Sequence, residues 1–164
     1  MKPLRNPQQP LRLDATVPDP ALRWHEGATV IYLGRSIPLQ LDTVGKEAVF
    51  DGDFLHLPLP PEATPRQIQD RAETWLRSEA RRLLGDLLAK KLSEALLSGR
   101  QSPQLILSFA ASGSWITVQD NHALRCNWRL IEQPQSIIEH ALDRAVRALP
   151  RAEAEPDLFN LLSA

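Results

Sequence analysis

The stretch from Thr64 to about Leu97 reads as one long helix, and the rest of the chain has to be arranged around it. Thr64-Pro65 opens it. Threonine is a favoured N-cap, and proline suits the first helical position because its missing N–H would go unpaired there anyway. Ile68, Ala72, Trp75, Leu76, Ala80, Leu83, Leu84, Leu87, Leu88, Leu92, Ala95 and Leu96 follow at helical spacing. Ser98-Gly99 supplies the stop, and Gly85 is a point where the helix is expected to break or bend. Arg71, Arg77, Arg81, Arg82, Asp86, Lys90, Lys91 and Glu94 lie between the apolar positions. A solvated surface is the commoner meaning of such a pattern, with a basic face for nucleic acid as the alternative.

Strand patterns flank this helix on both sides. Ala28 to Leu33 is rich in β-branched and aromatic residues, Gly34-Arg35 makes a turn, and Ile37 to Leu41 alternates, which together predict a hairpin. Lys46 to Phe50 and Phe54 to Leu57 flank Asp51-Gly52, a good two-residue hairpin turn. Beyond the helix, Gln104 to Phe109, Ser114 to Val118 and Leu124 to Trp128 read as strands, with Asp120-Asn121 in a turn. Pro134 marks the start of a second helix that Pro150 stops near Leu149, and Asp157 to Leu162 suggest a last short helix. The order of sheet, long helix, sheet and helix is an α+β arrangement.

Composition narrows the class. With 43% hydrophobic residues over 164 positions, one domain with a proper core is expected, placed at 23–164. Residues 1–22 hold five of the 14 prolines and read as an extended or disordered arm. The charges, 19 Lys+Arg against 20 Asp+Glu, give no reason to expect a nucleic-acid or membrane surface over the whole molecule. The apolar runs are too short to span a bilayer, and the N-terminus lacks a signal peptide's apolar stretch. The single cysteine, Cys126, excludes an internal disulfide. A cytoplasmic protein without membrane association is the expectation.

Several short motifs then resemble one family. Tyr32-Leu33-Gly34-Arg35, Leu57-Pro58 with Pro60-Pro61, Trp75 followed by Ala80, Trp115, and above all Asn127-Trp128-Arg129-Leu130 with Pro134 following, occur in order and at similar spacing. Together they resemble the YgjP-like metallopeptidases, relatives of SprT-type zincins, over most of the chain after the arm. The resemblance implies a zincin-like α+β fold: N-terminal β-hairpins, a long helix, a second small antiparallel sheet, then the helix of the metal site. It also implies that Asn127, Trp128 and Arg129 are structural residues, and that Trp115 and Trp128 lie in the core.

In that family the helix after the Asn-Trp-Arg-Leu motif carries H-E-x-x-H. Its two histidines bind zinc from one helical face, and its glutamate polarises the metal-bound water. Counted from Asn127, the zinc histidines would fall at Arg144 and Ala148, the glutamate at Ala145, and a third histidine near Ala154. All four are replaced. Alanine has no ligand atom and arginine is permanently cationic, so neither coordinates zinc. No H-x-x-x-H occurs anywhere in the chain. Arg144, in the metal's place, would supply a fixed charge and five donors, with Glu153, Glu155 or Asp157 as its carboxylate partner; an exposed, solvated arginine is the alternative.

Other chemistry has few parts to draw on. His25, His56, His122 and His140 are the only histidines. His140 and Asp143 share a helix face and, with Glu139 and His122, would make a rearranged metal site; a solvated polar face is the commoner meaning. Ser112 and Ser114 lack the glycine pattern of a nucleophile elbow. Cys126 reads as a buried strand cysteine, with a nucleophile as the alternative, and Arg129 as a partner of Glu132 or Glu139, with an anionic substrate as the alternative. The expected function is therefore that of an inactive metallopeptidase homologue, a binding or regulatory module with a protein partner and no cofactor. A metal-dependent hydrolase using His122, His140 and Asp143 is the alternative.

Overall fold

The computed structural model describes residues 20–42, 44–96, 103–111, 113–119 and 123–150. A single turn of helix, α1 (Pro20–Arg23), leads into strands β1 (Thr29–Tyr32), β2 (Arg35–Leu41), β3 (Val49–Phe50) and β4 (Leu55–Leu57). Helix α2 (Pro65–Leu96) follows, then β5 (Gln104–Ser108), β6 (Ile116–Val118) and β7 (Ala123–Asn127), a 3-10 helix (Trp128–Glu132) and α3 (Gln135–Ala148). The expected α+β order holds. The proline-rich arm, Ser98-Gly99, Asp120-Asn121 and the short helix expected at 157–162 lie outside the described residues.

The first sheet has the order β1-β2-β4-β3. Its β1–β2 turn is Leu33-Gly34, one residue earlier than Gly34-Arg35, because Arg35 already pairs with Tyr32. Both turn residues have positive φ, 50° and 76°, the signature of the type I′ turn that matches the twist of a hairpin. The second hairpin also departs from expectation. Phe50 pairs with Leu55, so four residues, not two, form its loop, and Lys46 to Ala48 lie outside the strand. The Asp51 carboxylate is the reason: it accepts from the backbone N–H of Asp53 (2.9 Å) and Phe54 (2.8 Å), which holds them in a side-chain-capped turn. β2 and β4 then pair in parallel, with Leu39 against Leu55 and Leu41 against Leu57.

α2 begins as the sequence predicts. Thr64 Oγ1 accepts from the Gln67 N–H (3.3 Å), while Gln67 Oε1 accepts from the Thr64 N–H (2.8 Å), a reciprocal capping box. Its buried positions are Ile68, Ala72, Leu76, Ala80, Leu84, Leu88 and Leu92, four residues apart throughout. At 3.6 residues per turn each such step advances about 40°, so the buried stripe winds roughly 240° around the helix. Different faces therefore meet different neighbours. Near the middle, Trp75 packs on Tyr32 of β1 at 5.1 Å and Glu79 accepts from the Tyr32 hydroxyl at 3.0 Å. Arg77 lies over the Trp128 ring, and near the C-terminal end Lys91 bonds Asp143 of α3 at 2.7 Å. The expected break at Gly85 does not occur. Leu84 and Leu88, both buried, flank it, and their packing outweighs the roughly 1 kcal/mol that glycine costs in a helix.

The second sheet, β5-β7-β6, is mixed rather than antiparallel: β7 pairs with β5 in parallel and with β6 antiparallel. Register places Leu105, Leu107, Leu124 and Cys126 on one face together with Ile116 and Val118, and that face joins the core. Trp128 opens the 3-10 helix instead of ending the strand. The tip of the first hairpin docks there: the N–H groups of Leu33 and Gly34 donate to the carbonyls of Ile131 (2.9 Å) and Glu132 (3.0 Å). Two motifs a hundred residues apart in order of magnitude thus meet directly, and their junction sets where α3 begins.

Candidate functional site

α3 lies beside β6, and between them runs a cleft of about 460 Å³. Ser114, Trp115, Ile116 and Val118 form one wall, and Ala141, Arg144, Ala145 and Ala148 the other. The helical wall follows from spacing, since 141, 144, 145 and 148 are three and four apart and share a face. Ile138, Leu142, Val146 and Leu149 carry α3's buried side, which aims the alanines and Arg144 at the cleft. The alanines keep the cleft open, because a larger side chain on that face would fill it. The strand wall follows from the pleat: Ile116 and Val118 share a face, and Thr117 takes the other.

The edge of β6 is also set by register. The Asn127 N–H donates to the Trp115 carbonyl (2.8 Å), and the Gln119 N–H donates to the Ala123 carbonyl (2.8 Å). Bonded pairs alternate in an antiparallel ladder, so Thr117 faces β7, and Ile116 and Val118 turn their N–H and C=O groups outward. Among the described residues β6 has no second neighbour, which leaves those groups open to an added strand.

One residue organises the ends of this wall. Asn127 is buried; its Nδ2 donates to the Ala110 carbonyl (3.0 Å) and its Oδ1 accepts from the Arg129 N–H (3.0 Å), capping the 3-10 helix. Trp128 is 3% exposed. Arg129 lies over its ring and bonds Glu132 at 3.3 Å, one of the two partners expected for it; the other, Glu139, accepts instead from Gln135. Trp115 departs from expectation. It is 41% exposed on the cleft rim, because it precedes the outermost strand and has no strand beyond it among the described residues.

The positions at which the family would carry its metal site come together as the spacing implies. Arg144, Ala145 and Ala148 all line the cleft, and Ala154 lies outside the described residues, as do Glu153, Glu155 and Asp157. The Arg144 side chain is exposed and makes no ion pair among the described residues. The donor set does not fit zinc, because one cation and two methyl groups stand where two imidazoles and a carboxylate would be needed. His140 is exposed, and Asp143 is engaged by Lys91, whose hydrogen bond holds that carboxyl below its ordinary range. His122 lies outside the described residues, and among those described no three histidine, cysteine or acidic side chains are grouped to hold a metal ion.

Nucleophiles fare no better. Cys126 is fully buried, and burial pushes its thiol up to about 12, so it stays protonated. Ser114 lines the cleft but bonds no histidine among the described residues, and Ser112 is not among them. His56, to which the sequence assigns no partner, bonds Asp51 at 2.7 Å. On α2, Arg77, Arg82 and Lys91 each face a carboxylate, of Glu73, of Glu79 and Asp86, and of Asp143. What sequence reasoning missed is the strand wall. Its signal was present in the alternation of Ile116, Thr117 and Val118, but only pairing with β7 shows which edge is free.

No described helix is long and apolar enough to cross a membrane. No curated protein and no solved structure matches the chain. The family model described as YgjP-like, metallopeptidase domain, matches residues 8–142, and so ends just before Arg144. With the hairpin, the Asn127–Leu130 segment and the long helix inside that match, and the match covering well over half of the sequence, the chain belongs to the YgjP-like metallopeptidase domain family.

Proposed function

We infer that this chain is a YgjP-like domain without zinc-peptidase chemistry, which uses the cleft between β6 and α3 to hold an extended protein segment rather than cut it. One observation carries the reading: Arg144, Ala145 and Ala148, which stand where the family's H-E-x-x-H is expected, line that cleft together. The free edge of β6 supports it, because outward N–H and C=O groups recognise a peptide backbone whatever its sequence. A metal-dependent hydrolase built on His122, His140 and Asp143 would need Asp143 to leave Lys91 first.

Elemental analysis of protein purified without a metal-affinity tag tests the reading. The expected result is no stoichiometric zinc and no cleavage of unstructured peptides beyond buffer. About one zinc per chain, removable by chelator with loss of stability, would end it, since ligand binding and folding are linked.

A further inference from the structure

We propose that Arg144 gives the cleft its selectivity, so that the segment held there carries an acidic side chain, Asp or Glu, opposite it. This rests on the reading of the cleft as a peptide site and adds the chemical class of the ligand. Among the described residues that line the cleft, Arg144 is the only charged one and none carries a carboxylate. A guanidinium there offers a planar fork of donors that matches a carboxylate.

Geometry favours a side chain within the segment over a free C-terminus. The cleft runs beside the free edge of β6, where Ile116 and Val118 each offer a backbone donor and acceptor. A strand added there continues past the cleft in both directions. Its side chains alternate between the two faces, so residues two apart project toward α3 and one of them reaches Arg144. Lysine at that place would meet a like charge, and glutamine would lose the charge-assisted part of the hydrogen bond.

The test is a titration of the full chain with three pools of acetylated, amidated decapeptides, their flanks free of acidic residues and their centre fixed as Glu, Gln or Lys. Blocked ends leave the central side chain as the only carboxylate. Fluorescence anisotropy should show the Glu pool binding about tenfold or more tighter than the Gln pool, the size expected for a hydrogen bond to a charged group, with the Lys pool weakest. Arg144→Gln should bring the Glu and Gln pools together, while Arg147→Gln, an exposed change outside the cleft, should leave the gap in place. Repeating the titration with Glu153→Gln, Glu155→Gln and Asp157→Asn together removes the three acids that the sequence offers as partners of Arg144. Equal binding of the Glu and Gln pools in both backgrounds would overturn the acidic selectivity and leave the peptide site standing. A Glu preference that survives Arg144→Gln would overturn the role of Arg144. No binding of any pool in either background would overturn the peptide site and the selectivity with it.

Discussion

Gly34 and Gly27 form a matched pair that tests how the hairpin tip positions α3. Both sit at nearly the same positive φ, 76° and 80°. An alanine at either place takes on left-handed strain of about 1–2 kcal/mol. Their surroundings differ. A Cβ on Gly27 would meet nothing within 4 Å, whereas one on Gly34 would lie 2.8 Å from Pro134 Cγ and 3.2 Å from its Cα. Pro134 cannot rotate away, because its ring is tied to its own backbone at the start of α3. The tip must then back off, and two hydrogen bonds to the 3-10 helix, at 2.9 and 3.0 Å, lengthen with it. Overpacking of this kind costs about 1–3 kcal/mol beyond the strain. Gly34→Ala is therefore expected to destabilise the protein by that much more than Gly27→Ala. Urea unfolding of both variants, followed by tryptophan fluorescence, measures the difference. Equal losses would mean that the Gly34–Pro134 contact does not fix α3, and that the hairpin is only a neighbour of the site.

Other expectations follow from the same packing. Gly85→Ala should stabilise by about 0.5–1 kcal/mol, since the helix is continuous there and a Cβ would meet nothing within 4 Å; a thermal midpoint that falls would contradict the open space. Trp128→Ala should cost about 3–5 kcal/mol, and Trp115→Ala far less, because the first is 3% and the second 41% exposed; similar denaturant midpoints for the two would refute this assignment. Lys91→Met should cost about 0.5–1 kcal/mol near neutral pH, the upper range for a partly exposed pair. Lys91 lowers the Asp143 pKa from its ordinary value of 3.8, so the pair's stabilisation is present above that pH and lost as pH falls below it. Stability curves of the two proteins should therefore converge in acid, and a gap that stays constant below pH 3.8 would exclude the ion pair as its cause.

The parts of the fold legible in the sequence were those decided within a few residues. The Thr64 cap, the apolar spacing of α2 and α3, and the strand-rich segments all report local chemistry, although the reciprocal bond from Gln67 showed only in the structure. Pairing was not legible, because the parallel contact of β2 with β4, and of β5 with β7, joins segments whose own residues say nothing about their neighbours. The Asp51 turn failed for a related reason: Asp-Gly suggests a tight two-residue loop, but the carboxylate captured two N–H groups and enlarged it. The face of the site on α3 was readable from helical spacing once the family resemblance had picked out positions 144, 145 and 148. Its opposite wall was not, since apolar character cannot say that Trp115 stands at a rim and Ile116 over a cleft.

The residues that build the frame and the residues of α3 that line the cleft are separate in this chain. Gly34, Asn127, Trp128 and Pro134 are held by backbone contacts, a buried cap and close packing, and changing any of them strains the fold. Arg144 and Ala148 have no such duty, because they line open space and lie in an exposed row of α3. Here α3 is tied to α2 by Lys91 and Asp143 and packed through Ile138 and Leu142, both fully buried. The cleft wall thus stands apart from that packing, and at position 144 it holds a fixed positive charge beside a strand edge that is unpaired among the described residues.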